Sequence, residues 1–226
     1  MTNATAIGFF SHFEDAPARP DLIAIYDKLL AMFRELDLEP NWFAAGDGQS
    51  RTQWRKFGGA FHQKVMESGG VGYQTVSLCV APSGSKAPAY DNFAEVSFIF
   101  SPVGRQVDLT LVVHEPHLVA GTQRCETVIA ELASLWSWDY GFGFARDSAK
   151  MPMGYVNGGI SRTETPEELR SIEKWYAAYQ PTERRERVRD IFHTTWLAQR
   201  IWPAHSPTVV VYTTSSMPIL TAPFVL

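Results

Sequence analysis

Three stretches of alternating apolar and polar residues restrict the fold of this chain most strongly. They cover residues 73–80, 94–101 and 107–114. Side chains on a strand point alternately to opposite faces, so this pattern predicts three strands that each bury one face. Turn-forming residues at 101–106 join the last two stretches into a predicted hairpin. The sequence therefore predicts a mainly antiparallel sheet with one partly open face.

Helical periodicity flanks these strands and predicts the rest of the fold class. Apolar residues recur at helical spacing near 21–37, 122–136 and 166–200. The last range begins with Thr165-Pro166-Glu167-Glu168, a capping box that predicts a helix to about Tyr179, and Pro181 opens a further helix through Arg200. The prediction is an α+β fold in which helices flank a mainly antiparallel sheet.

Shorter elements are expected in the remaining segments. Ala6–Phe13 is predicted to be a first strand, and residues 208–213 a short late one. Proline and glycine on either side of Trp42 and Phe43 predict a loop there. A second helix is expected to carry four apolar residues on one side: Trp54, Phe57, Phe61 and Val65.

The run from Trp136 to Gly159 is the least generic part of the chain. Tyr140, Phe142 and Phe144 alternate with glycines, which on a strand gives one aromatic face and one bare face. A bare face admits the close approach of another backbone, a side chain or a partner. Large aromatic residues mostly serve burial, so a core strand under a helix is the expected role.

Composition favours a single domain over residues 1–226. The chain is 45% hydrophobic, and no low-complexity linker or repeat divides it. Residues 71–145 carry 7 acidic and 3 basic groups, which argues against nucleic-acid binding there and for a basic partner. The sequence offers no secretory signal and no membrane-spanning run, and Cys79 and Cys125 fit small apolar residues in a reducing compartment, so the cytoplasm is expected.

No catalytic, metal or cofactor motif is recognisable. His114-Glu115-Pro116-His117 has two histidines three apart around a proline, whereas zincin histidines lie four apart on a helix. Gly141-x-Gly143 lacks the third glycine and following helix of a dinucleotide site. The arginines of 184–189 alternate with acids, as on a solvated helix face. An enzyme whose residues converge only in space stays open.

Four motifs in the second half resemble a family of bacterial immunity proteins found in polymorphic-toxin and type VI secretion loci. They are residues 140–144 (YGFGF), 153–159 (MGYVNGG), Glu173 with Trp175, and 187–197 (RVRDIFHTTWL). The similarity covers residues 136–200 and is greatest to the group that accompanies toxins with a restriction-endonuclease-like nuclease domain. That resemblance implies a non-enzymatic protein, without cofactor, that binds a cognate toxin and blocks it.

Acidic and aromatic residues at the predicted ends of the sheet and third helix are the expected toxin-binding groups, because such ends are usually exposed. They are Glu115, Glu126, Asp139 and Tyr140. The partner is then the toxin, not nucleic acid or a membrane, and a homodimer stays open. An alternative is a small-molecule enzyme with a pocket around Tyr140 to Gly159, and a structural interaction subunit is a third.

Overall fold

The computed structural model describes residues 3–15, 17–47, 53–88, 92–157, 165–166, 169–170, 194–197 and 209–210. Within them nine strands form one sheet, and every neighbouring pair is antiparallel. The sheet order is β3-β2-β4-β5-β6-β1-β7-β8-β9. In chain order the strands are β1 (Asn3–His12), β2 (Trp42–Gly46), β3 (Arg55–Lys56), β4 (Thr75–Val80), β5 (Ala94–Ser101), β6 (Gln106–His114), β7 (Tyr140–Asp147), β8 (Thr194–Leu197) and β9 (Val209–Val210).

Helices accompany both faces of this sheet. Those described over their full length are α1 (Leu22–Glu35), α2 (Ala60–Glu67), α3 (Gln123–Ala133) and α4 (Pro152–Val156), with a 3-10 turn at Ser148–Lys150. The predicted α+β fold with a mainly antiparallel sheet is confirmed. Its extension over the whole of 1–226 stays a prediction, because most of 158–226 lies outside the described residues.

The elements with the strongest hydrophobic periodicity are where the sequence places them. β4, β5 and β6 match the three alternating stretches, and α1 and α3 match the helices predicted near 21–37 and 122–136. Both α1 and α3 begin at a side-chain cap. Asp21 accepts the amides of Ile23 and Ala24 at 3.0 Å, and Thr122 accepts the amide of Cys125 at 3.3 Å.

Strand β1 lies near the centre of the sheet and is covered on both faces. It pairs with β6 on one side and β7 on the other, and nine of its ten residues are buried. On the first face, Ile7 and Phe9 join the main core under α1, α2 and α3. On the second face, Ala4, Ala6 and Phe10 join a smaller core under α4. The predicted first strand, Ala6–Phe13, is confirmed and begins three residues earlier.

Strand β7 has the aromatic and bare faces that its sequence predicts. Tyr140 and Phe142 stack on Phe10, with ring centroids 5.1 and 5.5 Å apart. On the other face, a β-carbon added to Gly141 would lie 2.5 Å from Cδ1 of Phe9 and 2.9 Å from the carbonyl oxygen of Gly8. The bare face therefore admits a core side chain of the same sheet.

The predicted loop around Trp42 and Phe43 is wrong. These residues begin β2, in which Trp42 pairs with Cys79 and Phe43 with Leu78. Flanking proline and glycine set the limits of a short strand here, and β-sheet pairing with β4 overrides the local turn preference. Trp42 faces a small apolar cluster with Cys79 and Ala81, while Phe43 enters the main core.

The second helix is shorter than predicted. Trp54 and Phe57 precede α2, and only Phe61 and Val65 of the expected apolar side lie in it. Gly58 has φ +72°, a left-handed conformation that breaks a helix, and its amide donates to Nδ1 of His62 at 3.3 Å. The glycine pair therefore makes a turn before the helix.

The helix predicted from Pro181 through Arg200 is wrong at its end. Thr194–Leu197 forms strand β8, which pairs with Tyr140–Gly143 of β7. Without β8, this edge of β7 would have unpaired backbone groups. A segment of β-branched and aromatic residues fits that edge better as a strand than as a helix. The rest of that predicted helix lies outside the described residues.

The capping-box helix is described only at its start. The amide of Leu169 donates to the carbonyl of Thr165 at 3.0 Å, a first helical turn. The remainder of 166–179 lies outside the described residues. Of the strand predicted at 208–213, Val209–Val210 is described, and it is β9.

We expect Gly141→Ala to lower the free energy of unfolding by about 1–3 kcal/mol, because the new methyl group must displace Phe9 or the backbone of β1. Gly154→Ala is the matched control: its β-carbon would meet Met151 at an ordinary 3.6 Å within α4. We expect the control to be neutral or slightly stabilising. Urea denaturation measures both, and equal stability of the two variants would contradict the close packing at Gly141.

Candidate functional site

The four residues expected to contact a toxin do not form one surface. The amide of Glu115 donates to the carbonyl of Asn3 at 3.0 Å, whereas the amide of Asp139 donates to the carbonyl of Phe10 at 2.9 Å. Asn3 and Phe10 are seven residues apart on β1, which spans about 23 Å in a strand. Glu115 and Asp139 therefore lie at opposite ends of the sheet.

Asp139 is an internal structural residue, so its expected exposure is wrong. It is 0% exposed, and its carboxylate accepts the backbone amide of His12 at 2.8 Å and the hydroxyl of Ser11 at 3.4 Å. Nδ1 of His12 lies 3.9 Å from the same carboxylate. The Ser11 hydroxyl bonds the carboxylate rather than the imidazole, and all three side chains are buried. This differs from a nucleophilic triad, in which the histidine bonds the serine. The trio instead fixes the end of β1 to the start of β7.

Tyr140 is also buried, at 2% exposure, so its expected exposure is wrong as well. Its ring belongs to the stacked row of β7. Glu126 is exposed in the first turn of α3, and Glu115 is half-buried after β6. Sequence position could not separate these cases, because a residue that begins a strand is exposed or buried according to what packs over it.

A cleft of about 500 Å³ opens on the second face of the sheet. Its floor lies on β5 and β6, and α4 forms one side. Three described lining residues are polar: Asn92, Glu95 and His114. The others are mostly apolar: Trp54, Pro88, Val112, Met151, Pro152, Met153 and Gly154. Ligand sites have this size and this mixture of apolar walls with few polar groups.

Glu95 is the acidic group in the cleft floor. It pairs across the sheet with Cys79 of β4 and Val112 of β6, and its Oε2 accepts Nδ2 of Asn92 at 3.1 Å. Burial raises the pKa of Glu95, and the hydrogen bond from Asn92 offsets part of that rise. The cleft therefore holds a carboxyl whose charged form is disfavoured by its surroundings.

The cysteine beside this carboxyl is unsuited to act as a nucleophile. Cys79 is fully buried, and burial, followed by the charge of Glu95, raises the pKa of its thiol. Reactivity requires the thiolate, which these surroundings disfavour. We therefore assign Cys79 to packing beneath Trp42.

His114 and His117, the histidine pair of the strand end, form a turn in the structure. The amide of His117 donates to the carbonyl of His114 at 3.1 Å. Within the described part of the chain, no group of three or more histidine, cysteine, aspartate or glutamate residues is arranged to hold a metal ion.

The cleft itself was missed by sequence reasoning, although one signal was present. Glu95 lies on the polar side of an alternating strand, and such a side was expected to face solvent. Only the placement of α4 and Trp54 on that face turns an open surface into a cleft. Met151–Gly154 of the cleft wall do lie within the run from Tyr140 to Gly159.

We expect Asp139→Ala to lower the free energy of unfolding by about 1–3 kcal/mol, because the buried amide of His12 loses its acceptor. Glu126→Ala, which removes an exposed carboxylate, is the control and should change stability by less than about 1 kcal/mol. Thermal or urea unfolding gives both values. A neutral Asp139→Ala variant would show that the carboxylate does not support the β1–β7 junction.

The raised pKa of Glu95 can be tested by comparing the free energy of unfolding of the wild type with that of Glu95→Gln at different pH values. Because the folded pKa lies above the ordinary value of 4.5, the protonated carboxyl favours the fold below that pH. This contribution is lost as pH rises through the folded pKa. We expect the stability of the wild type relative to Glu95→Gln to fall across that window and then stay constant. Urea denaturation at a series of pH values measures the difference, and a difference independent of pH would contradict the assignment.

Comparisons place no known relative beside this chain. No known protein family, curated protein or solved structure matches it significantly. Within the described residues, no helix is both long and apolar enough to cross a membrane. The immunity resemblance of residues 136–200 therefore stays a prediction from sequence.

Proposed function

We propose that this protein is a non-enzymatic immunity protein that binds a cognate type VI secretion nuclease effector in the cytoplasm and neutralises it. The observation that carries the proposal is the set of motifs between Trp136 and Leu197 that resembles one immunity family. In the described part of that region, residues 140–157 build β7, a turn and α4 around a stacked aromatic core. The aromatic residues of these motifs thus serve packing, so the proposed contact uses exposed groups of other elements.

The exposed layer formed by α1 and α3 supplies acidic groups for such a contact. Glu126 is exposed on α3, and Glu131 lies on another side of the same helix, beside Glu35 of α1. Burial raises the pKa of Glu131, and the adjacent Glu35 raises it further. Two neighbouring carboxyl groups repel each other when both are ionised. A cationic partner group would relieve that repulsion.

Three basic residues on these two helices only partly offset this acidity: Lys28, Arg34 and Arg124. Arg124 donates to the backbone carbonyl of Glu35 and lies 3.4 Å from the carboxylate of Asp37. Its guanidinium therefore spans the end of α1 and the start of α3. Residues 21–37 and 122–134 together carry six acidic groups against three basic ones, and this excess suits a toxin whose DNA-binding surface is basic. Glu115, which follows β6, remains a candidate for a contact with the toxin at the edge of this surface.

The double variant E126K/E131K tests this surface against a nuclease-like toxin encoded by the adjacent gene. We expect it to weaken toxin binding by about tenfold or more and to abolish the protection of cells that express the toxin. Reversed charges at the contact turn attraction into repulsion. The measurement is the dissociation constant of the purified pair, together with survival of cells that express the toxin. If the wild-type protein does not bind the toxin encoded by the adjacent gene, the immunity proposal itself is contradicted.

D15K/E67K is the matched control. Asp15, between β1 and α1, and Glu67, at the end of α2, are both exposed, and neither lies on α1 or α3. Since each reversal adds two charges, either pair raises the formal net charge from −4 to 0. We expect D15K/E67K to leave the dissociation constant within about threefold, because charges outside a contact act mainly on the association rate. Equal losses in both pairs would exclude the α1–α3 layer as the contact surface.

The cleft favours a second candidate, a small-molecule enzyme. Its wall includes Met151–Gly154 of the run from Tyr140 to Gly159, and its lining includes a carboxyl and an imidazole, which are common acid–base groups. Genome context separates the two candidates. A neighbouring secreted nuclease-like gene supports immunity, and a metabolic operon supports the enzyme.

A further inference from the structure

We infer that the cleft on the second face of the sheet binds a small organic cation, with an alkylammonium or guanidinium group on Glu95 and an apolar body against Trp54 and the methionines of α4 and its preceding turn. This inference is independent of the immunity proposal. It assigns a ligand class to a site outside the α1–α3 layer.

The shape of the site is the first support. The cleft holds about 500 Å³, within the range of small-molecule pockets, which is about 300–1,000 Å³. Its floor is set by paired strands rather than by loops, because Glu95 and Val112 face each other across β5 and β6. A floor of this kind is pre-formed, so binding would require little reordering of the backbone.

The charge of the site is the second support. Glu95 has one hydrogen bond to a described side chain, that from Asn92, and its cross-strand neighbours Cys79 and Val112 carry no positive charge. Within the described residues, Glu95 forms no ion pair. A partly buried carboxylate is stabilised by a cation that enters beside it. An anionic ligand would meet repulsion at the same place.

The walls are the third support. Trp54 presents an aromatic ring, and aromatic faces attract ammonium and guanidinium groups. Met151 and Met153 add flexible thioether chains that adapt to an alkyl or aryl body. In the cross-strand row that contains Glu95 and Cys79, the molecule already places a cation over an aromatic ring, with Nζ of Lys56 3.8 Å from the ring centre of Trp42.

The test compares 2-phenylethylammonium with its neutral analogue 2-phenylethanol on the full chain at pH 8. An ordinary primary amine is protonated and an ordinary imidazole neutral at that pH. Calorimetry gives the dissociation constants, and the indole N–H resonance of Trp54 reports on the cleft. We expect the ammonium to bind at least about tenfold more tightly than the alcohol, the effect of a charge-assisted hydrogen bond. Equal affinities, or no saturable binding of the ammonium, would overturn the inference without any variant.

Two variants locate the effect. Glu95→Gln keeps the shape and an acceptor for Asn92 but removes the charge, so the preference for the ammonium should disappear. Glu126→Gln removes a carboxylate on α3, outside the cleft, and should keep the preference. A preference that survives in Glu95→Gln, or that is lost equally in Glu126→Gln, would overturn the inference. Melting temperatures of both variants confirm that folded proteins are compared.

Discussion

The close contact between β1 and β7 is the constraint on which the rest of the structure depends. Gly141 leaves room for the ring of Phe9, and Val156 of α4 lies over Gly8, where a β-carbon would come within 2.7 Å. Both faces of the central strand can therefore be covered at once. The aromatic residues of β7 fill the second face, and α1, α2 and α3 cover the first. Without this approach the sheet would have one core instead of two.

The same packing decides which surfaces can meet a partner. Tyr140, Phe142 and Phe144 carry the most distinctive part of the sequence, yet all three are buried in the second core. Asp139 is buried at the junction of β1 and β7, where its carboxylate accepts the amide of His12. On the helix layer Glu126 and Glu35 are exposed, and Glu35 lies beside the half-buried Glu131. The most distinctive residues of the sequence therefore build the core rather than an exposed surface.

The cleft illustrates a conflict between burial and charge. Glu95 occupies a site in which burial raises its pKa, so its ionised form disfavours the folded state. Ionisable groups with pKa values perturbed by burial cluster at functional sites. Trp54 and α4 create the cleft by covering a polar strand face only in part. The resulting site combines a charge with apolar walls, which neither element provides alone.

The sequence by itself determined the parts of the fold that depend on local periodicity. The alternating stretches fixed β4, β5 and β6, the capped amphipathic runs fixed α1 and α3, and Tyr140–Phe144 fixed an aromatic strand face. Only the tertiary structure decided the rest, because sheet pairing and burial depend on residues distant in sequence. Pairing with β4 made a strand of Trp42–Gly46, and pairing with β7 made one of Thr194–Leu197. The burial of Asp139 and the cleft around Glu95 followed from neighbours more than 100 and about 50 residues away, such as His12 and Met151.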